Sequence, residues 1–225
     1  MRNALRLRVS LLVVALAACG TSDEGTGAEG PDAGTGADVD ALVEIDAAPQ
    51  PAQRVLEVDF QVQETGYWCG PTATRHALSA RIAPPSQATL AAELPTTTNG
   101  TDYIGQVTTV LNDYLGAGRY RTVEMPSDPP TQAQRDTLWT DVTYSIDSGY
   151  AVVANIVAPP SNHPPGYPDQ TIYHYFAVIG YDRDERSVYV ADSAAFSQHL
   201  YWLSFDQLAT LIPPKGYSTL ATAAE

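Results

Sequence analysis

The feature that most constrains the fold is an abrupt change of composition near residue 53. From Gly20 to Ala52 the chain is mainly Gly, Ala, Thr, Asp and Glu, with almost no large apolar side chain. Such a stretch cannot bury enough surface to offset the entropy of ordering it. Residues 19–53 are therefore expected to form a disordered acidic tether, with an r.m.s. reach of roughly 30–35 Å. A core can form only from residues 54–225, which is room for one domain and not two. The whole chain of 225 residues carries 26 acidic and 12 basic side chains, a net charge of −14. Eight of the acids and none of the bases lie in residues 20–53, so the part from Arg54 onward still has 18 acids against nine bases. Acidity is thus general, and it excludes a phosphate-neutralising surface for nucleic acid or anionic lipid. Lys215 is the single lysine.

Before the tether, Arg2, Arg6 and Arg8 precede the apolar run Val9–Ala18. That run is too short for a permanent membrane span and reads as a signal-peptide core over residues 1–18. It ends Leu16-Ala17-Ala18-Cys19, which resembles the lipobox of bacterial lipoprotein signal peptides. The resemblance implies that Cys19 is lipidated and becomes the first mature residue. An exported chain held on the outer side of a cell membrane is the expectation, with plain secretion as the alternative.

Within residues 54–225 the pattern predicts a strand over Arg54–Phe60 and a helix opening at or just after Cys69 and running to about Ala80, where Pro71 suits its first turn. Further helices are expected over Ser86–Leu94 and Thr101–Leu115, the latter stopped by Gly116. Thr131 and Gln134 form a capping-box signature for a helix reaching Ser148. The pattern then changes to strands: the apolar run Tyr150–Ala158, then Ile172–Tyr181 and Ser187–Ala191 flanking the turn formers Asp182–Arg186. A strand-to-helix segment follows around Tyr201–Leu211. Helices first and an antiparallel sheet second is an α+β arrangement.

If Cys19 is acylated or removed, Cys69 is the only thiol left and cannot form an intrachain disulfide. At a helix N-terminus the unpaired amides and the positive dipole end stabilise a thiolate, which favours a nucleophile over a small buried hydrophobe. A thiolate needs a base. His76, seven residues on, is about 10 Å along the same helix and reads as a surface or packing residue. His163 in the Pro-rich loop 159–170 and His199 after the hairpin stay open on position alone. His174 lies in a strand that would fix its ring. Asp192 closes the next strand, and an odd-length loop centred near Arg183 or Asp184 would put it on the same face as His174; otherwise it is a strand-end cap. Gln63 could donate to a developing oxyanion, although Gln61 is equally near.

Taken together, Gln-x5-Cys-Gly-Pro, then His-x-Phe-x-Val-x-Gly-Tyr-Asp, then Val-Ala-Asp resembles the papain-like cysteine peptidases. Within them it is most similar to the bacteriocin-processing group, family thirty-nine of the cysteine peptidases. The resemblance spans roughly Phe60–Leu211. It implies a papain-like α+β domain with Cys69 as nucleophile, His174 as general base and acid, Asp192 orienting the imidazole and Gln63 as oxyanion donor. Bacteriocin processors are usually fused to an ABC transporter and cut after paired glycines. This chain carries no transporter segment, so double-glycine specificity is not carried over.

The expected activity is acyl transfer to water: a cysteine-type peptidase acting on a peptide or protein substrate as a monomer. An acyltransferase using the same residues is the first alternative. The second is a non-catalytic binding lipoprotein, whose aromatic face would be Asn162–Tyr167 with Tyr173 and Tyr175. No cofactor and no metal is expected, because neither the Cys nor the His residues have ligand spacing on one element. No Gly-rich loop between strand and helix points to a nucleotide.

Overall fold

The computed structural model describes residues 50–222. The expected signal peptide, the expected lipidation at Cys19 and the expected tether up to residue 49 lie outside the described residues. In chain order the elements are β1 (Gln53–Val55), α1 (Cys69–Ser79), α2 (Gln87–Glu93), α3 (Ile104–Leu115), β2 (Tyr120–Glu124), α4 (Gln132–Asp147), β3 (Val152–Ala158), β4 (Ile172–Asp182), β5 (Ser187–Ala191), β6 (Leu200–Ser204), α5 (Phe205–Leu211) and β7 (Gly216–Leu220). The arrangement is α+β, as expected. Its antiparallel sheet has the order β2-β7-β3-β4-β5-β6, and β1 is added to β4. β1 takes the place on β4 that β3 leaves beyond Val178, pairing Val55 with Gly180.

Both faces of the sheet are covered, which explains why β3 is apolar without interruption. Val152, Ala154 and Ile156 enter a core shared with Leu138, Val142 and Ile146 of α4 and Leu208 of α5. Val153 enters a second core with Leu78 of α1, Leu90 of α2 and Val107 and Leu111 of α3. Each fully buried aliphatic side chain of this kind contributes roughly 1.5–3 kcal/mol relative to exposure. At the start of α4 the capping box forms: Thr131 Oγ1 accepts from the Gln134 amide at 3.2 Å, and Gln134 Oε1 accepts from the Thr131 amide at 2.9 Å. α3 opens at Ile104, three residues later than the pattern suggests. The preceding residues fold back on themselves, with Thr97 bridged to Gly100 and the Thr96 and Thr101 hydroxyls 2.8 Å apart.

Three features depart from expectation. The first strand ends at Val55 rather than Phe60. Beyond it, backbone amides are satisfied by helix side chains instead of a ladder. Asp59 donates to Ser79 Oγ at 2.9 Å, Gln61 to His76 Nε2 at 3.0 Å and Glu64 to Gln87 Oε1 at 2.9 Å. The Arg75 guanidinium adds bonds of 2.8 Å to the Asp59 carbonyl and 2.6 Å to its carboxylate. The stretch leading to Cys69 is thus a strap laced onto α1 and α2.

The second departure is the pair β2 and β7, which the sequence pattern does not announce. They join along Tyr120↔Leu220 to Glu124↔Gly216. Their buried polar positions are satisfied by hydroxyls rather than replaced by apolar residues. Thr108 Oγ1 lies 2.6 Å from Thr122 Oγ1 and 2.9 Å from Ser218 Oγ, and Ser145 and Thr219 meet at 2.8 Å.

The third departure concerns the β4–β5 hairpin. Asp182 pairs with Ser187, so the loop has four residues, 183–186, and not an odd number. That register alone would set His174 and Asp192 on opposite faces. A bulge corrects it: Val178 pairs with Val190 but Gly180 with Tyr189, leaving Ile179 as an extra residue. Beyond the bulge Ala177 faces Ala191, which makes Asp192 diagonal to His174 on one face. The carbonyl of Ile179 is taken up by the Leu56 amide at 2.8 Å.

Candidate active site

Cys69 is the first residue of α1, whose N-terminus carries no side-chain cap. The amides of the first turn are therefore open to the sulfur. Cys69 is 8% exposed, at the floor of a cleft of about 200 Å³ that Thr101, Asp102, Asn155, Tyr173, His174 and Lys215 also line. The cleft depends on a close approach between α1 and the segment after α2. A Cβ on Gly70 would fall 2.3 Å from Thr101 Oγ1, so only glycine lets Thr101 sit there.

His174, from β4, is 4% exposed and lines the cleft together with Cys69. Its Nε2 lies 2.8 Å from Asp192 Oδ1. With that nitrogen committed, Nδ1 is the ring nitrogen left available to Cys69. Burial raises the Cys69 thiol pKa, but the His174 hydrogen bond and charge, together with the main-chain amides of Tyr175 and Gly70, hold it below the usual thiol value. Burial alone would lower His174; the Asp192 charge and hydrogen bond and the Cys69 thiolate outweigh it and push the imidazole up to about 10. Burial likewise disfavours an Asp192 carboxylate, and the His174 charge more than offsets this, so its pKa is depressed. Charge and hydrogen bonding thus favour a thiolate on Cys69 and an imidazolium on His174, the form in which a cysteine is most reactive.

Gln63 does not line this cleft; it is tied to the site through the residue after Asp192. The Gln63 amide donates to the Ser193 carbonyl at 3.0 Å, and Ser193 Oγ donates to Gln63 Oε1 at 3.1 Å. Gln63 Nε2 gives one hydrogen to the Thr65 carbonyl at 2.8 Å, which leaves the second uncommitted. Ser193 and Thr65 thus fix which end of the carboxamide carries its oxygen and which its nitrogen.

The other histidines are elsewhere. His76 is fully buried and packs, accepting from the Gln61 amide and stacking on Phe60 with ring centroids 5.0 Å apart. His163 lies 2.9 Å from the Gln170 carbonyl, and His199 packs against Phe60 at 5.4 Å. No group of metal-ligating side chains occurs among the described residues. The aromatic face suggested by the sequence is not continuous, because Tyr175 is buried while Tyr173 is 68% exposed. The sequence pattern does not assign Ser193 or Tyr201 to the site, and it places Tyr167 only in that aromatic face. Tyr167 and Tyr201 both donate to Asp192 Oδ2, at 2.8 and 2.9 Å. Only the alternation of β6 hints at Tyr201, and nothing local hints at the others.

No curated protein gives a significant match. Among solved structures, a candidate C39-like peptidase from Bacillus anthracis superposes with a TM-score of 0.51 at 16% identity, over 76% of this chain and 98% of that one. The peptidase domain of Streptococcus ComA, a bifunctional ABC transporter of a quorum-sensing pathway, gives 0.48 at 15% identity, over 73% and 100%. Xylellain, a cysteine protease from Xylella fastidiosa, gives 0.45 at 14%, over 78% and 88%. The fold is that of a papain-like cysteine peptidase, in agreement with the resemblance seen in the sequence. The sequence matches the profile of the Peptidase_C39 like family over residues 55–210, a span that contains Gln63, Cys69, His174 and Asp192. With well over half of its length matched, the chain belongs to the Peptidase_C39 like family.

Proposed function

We propose that the protein is an exported, lipid-anchored cysteine peptidase that hydrolyses a peptide or amide bond through a thioester on Cys69. The Cys69 thiolate attacks the carbonyl carbon and the oxygen becomes an anion, whose assigned donor is the uncommitted Nε2 hydrogen of Gln63 at the margin of the site. The His174 imidazolium gives its Nδ1 proton to the leaving amine as the C–N bond breaks, leaving Cys69 acylated. Neutral His174 then takes a proton from water, whose oxygen attacks the thioester; the thiolate leaves and the imidazolium re-forms. Asp192 keeps Nε2–H engaged throughout, so Nδ1 is the nitrogen that exchanges protons.

The observation that carries this reading is the coupled array of Cys69, His174 and Asp192, with the thiol held low and the imidazole held at about 10. Membership of the Peptidase_C39 like family supports it. In a peptide-library digest, the wild-type protein is expected to cut and to release free acids even with an amine acceptor added. Cys69→Ala should neither cut nor take up iodoacetamide at that position. Cleavage surviving in Cys69→Ala rejects the proposal. For the anchor, Cys19→Ala is expected to leave the membrane fraction, with the segment between Cys19 and β1 serving as the tether.

A further inference from the structure

Asp192 is wholly buried, yet its carboxylate accepts four hydrogen bonds. Oδ1 takes the His174 ring nitrogen at 2.8 Å and the Ala194 amide at 3.0 Å; Oδ2 takes the Tyr167 hydroxyl at 2.8 Å and the Tyr201 hydroxyl at 2.9 Å. A buried carboxylate without such donors would take up a proton instead of keeping its charge. Tyr201 comes from β6, whereas Tyr167 comes from the Pro-rich loop 159–171, which is fastened over this point. Asn162 Nδ2 donates to Thr210 Oγ1 at 3.0 Å, and Gln207 Nε2 to the His163 carbonyl at 3.0 Å. Gly166, at φ +89°, packs so closely that a Cβ would sit 2.4 Å from the Phe196 carbonyl. The Tyr167 ring also stands edge-on to His174, with centroids 6.0 Å apart.

We propose that Tyr167 and Tyr201 are positioning residues that keep Asp192 ionised and aimed at His174, so that the aromatic loop completes the active site instead of presenting a binding face. The inference rests on the peptidase reading. Both phenols stay protonated as donors, because burial and then the Asp192 charge raise them. The titratable groups facing Asp192 are His174 from β4, Tyr167, Tyr201 and, more distantly, His76 from α1. Cys69 connects through His174, and the His199 ring lies 3.4 Å from the Asp192 carbonyl.

Removing the hydroxyls leaves Oδ2 without its donors, so Asp192 takes up its proton at a higher pH and His174 loses its counter-charge there. The test is the pH dependence of iodoacetamide labelling of Cys69 in the full-length protein, which needs no substrate. The acid limb of Tyr167→Phe/Tyr201→Phe is expected to rise by about one pH unit, roughly a tenfold slower labelling below the limb. Each single variant should move it less. Tyr217→Phe is the control: its hydroxyl makes the same kind of bond, 2.7 Å to Asp141, away from the cleft, and its limb should coincide with wild type. Coincident limbs in both folded single variants, checked by melting curves, would overturn the proposal. So would an equal shift in Tyr217→Phe. If the double variant fails to fold, the single variants decide. Failure of the peptidase reading shows separately, as turnover that survives Cys69→Ala.

Discussion

His76 has no exposed surface, and burial is the main reason its pKa falls to about 4 from an ordinary value of 6.5, with the neighbouring Arg75 charge acting in the same direction. Its Nε2 accepts the Gln61 amide at 3.0 Å, a bond available only to the neutral ring. The folded pKa lies below the unfolded one, so the unfolded chain binds more protons in this window. Stability from this group is complete above pH 6.5 and is lost as pH falls towards 4. At 1.36 kcal/mol per unit, the loss between pH 7 and pH 4 is about 3 kcal/mol. For a domain of this size that is roughly 6–12 °C in Tm. His174 keeps its proton in the folded state over this range, since it titrates at about 10; the unfolded chain releases that proton above about pH 6, which lowers stability there equally in wild type and variant. Urea unfolding of wild type and His76→Gln at several pH values from 4 to 7.5 isolates the effect, because the carboxylates titrate alike in both. Gln retains an acceptor for Gln61 but cannot titrate; it loses the Phe60 stack and should start less stable at pH 7. The difference between the proteins should shrink by about 3 kcal/mol at pH 4. Parallel stability curves would refute the reasoning.

Two further outcomes follow from the site geometry. Asp192→Asn removes the charge that sustains His174 against burial, so the alkaline limit of activity should move down from about 10 and kcat should fall by roughly 10²–10⁴-fold; a pH–rate profile checks both. Ser193→Ala frees Gln63 Oε1, and kcat should drop about tenfold with KM and Tm little changed, a partial version of the 10²–10³-fold loss typical of deleting an oxyanion donor outright; steady-state kinetics with Gln63→Ala alongside decide it.

Elements stabilised by near neighbours in sequence were legible beforehand. The Thr131–Gln134 box, the helix opening at Cys69 and the two-sided apolar run of β3 are written in local pattern. The sheet edge formed by β2 and β7 was not, because its hydroxyls find partners a hundred residues away, as between Thr108 and Ser218. Nor was the strap before Cys69, whose amides depend on His76, Ser79 and Gln87. At the site, the sequence suggests which residues carry chemistry, but their meeting depends on the Ile179 bulge, and the support of Asp192 on Tyr167 and Tyr201. Those are properties of register and of loop packing, on which side-chain periodicity is silent.

The bulge also sets an unequal tolerance to insertion and deletion along one hairpin. Residues could be added at the tip, 183–186, without disturbing the pairs below it. Losing Ile179 would leave the tip intact but turn the far ends of β4 and β5 half a revolution relative to each other, carrying the carboxylate to the wrong side of the sheet. In a strand with period two, a gain or loss of one residue acts as a rotation, and here the rotation would fall between an acid and the ring it serves.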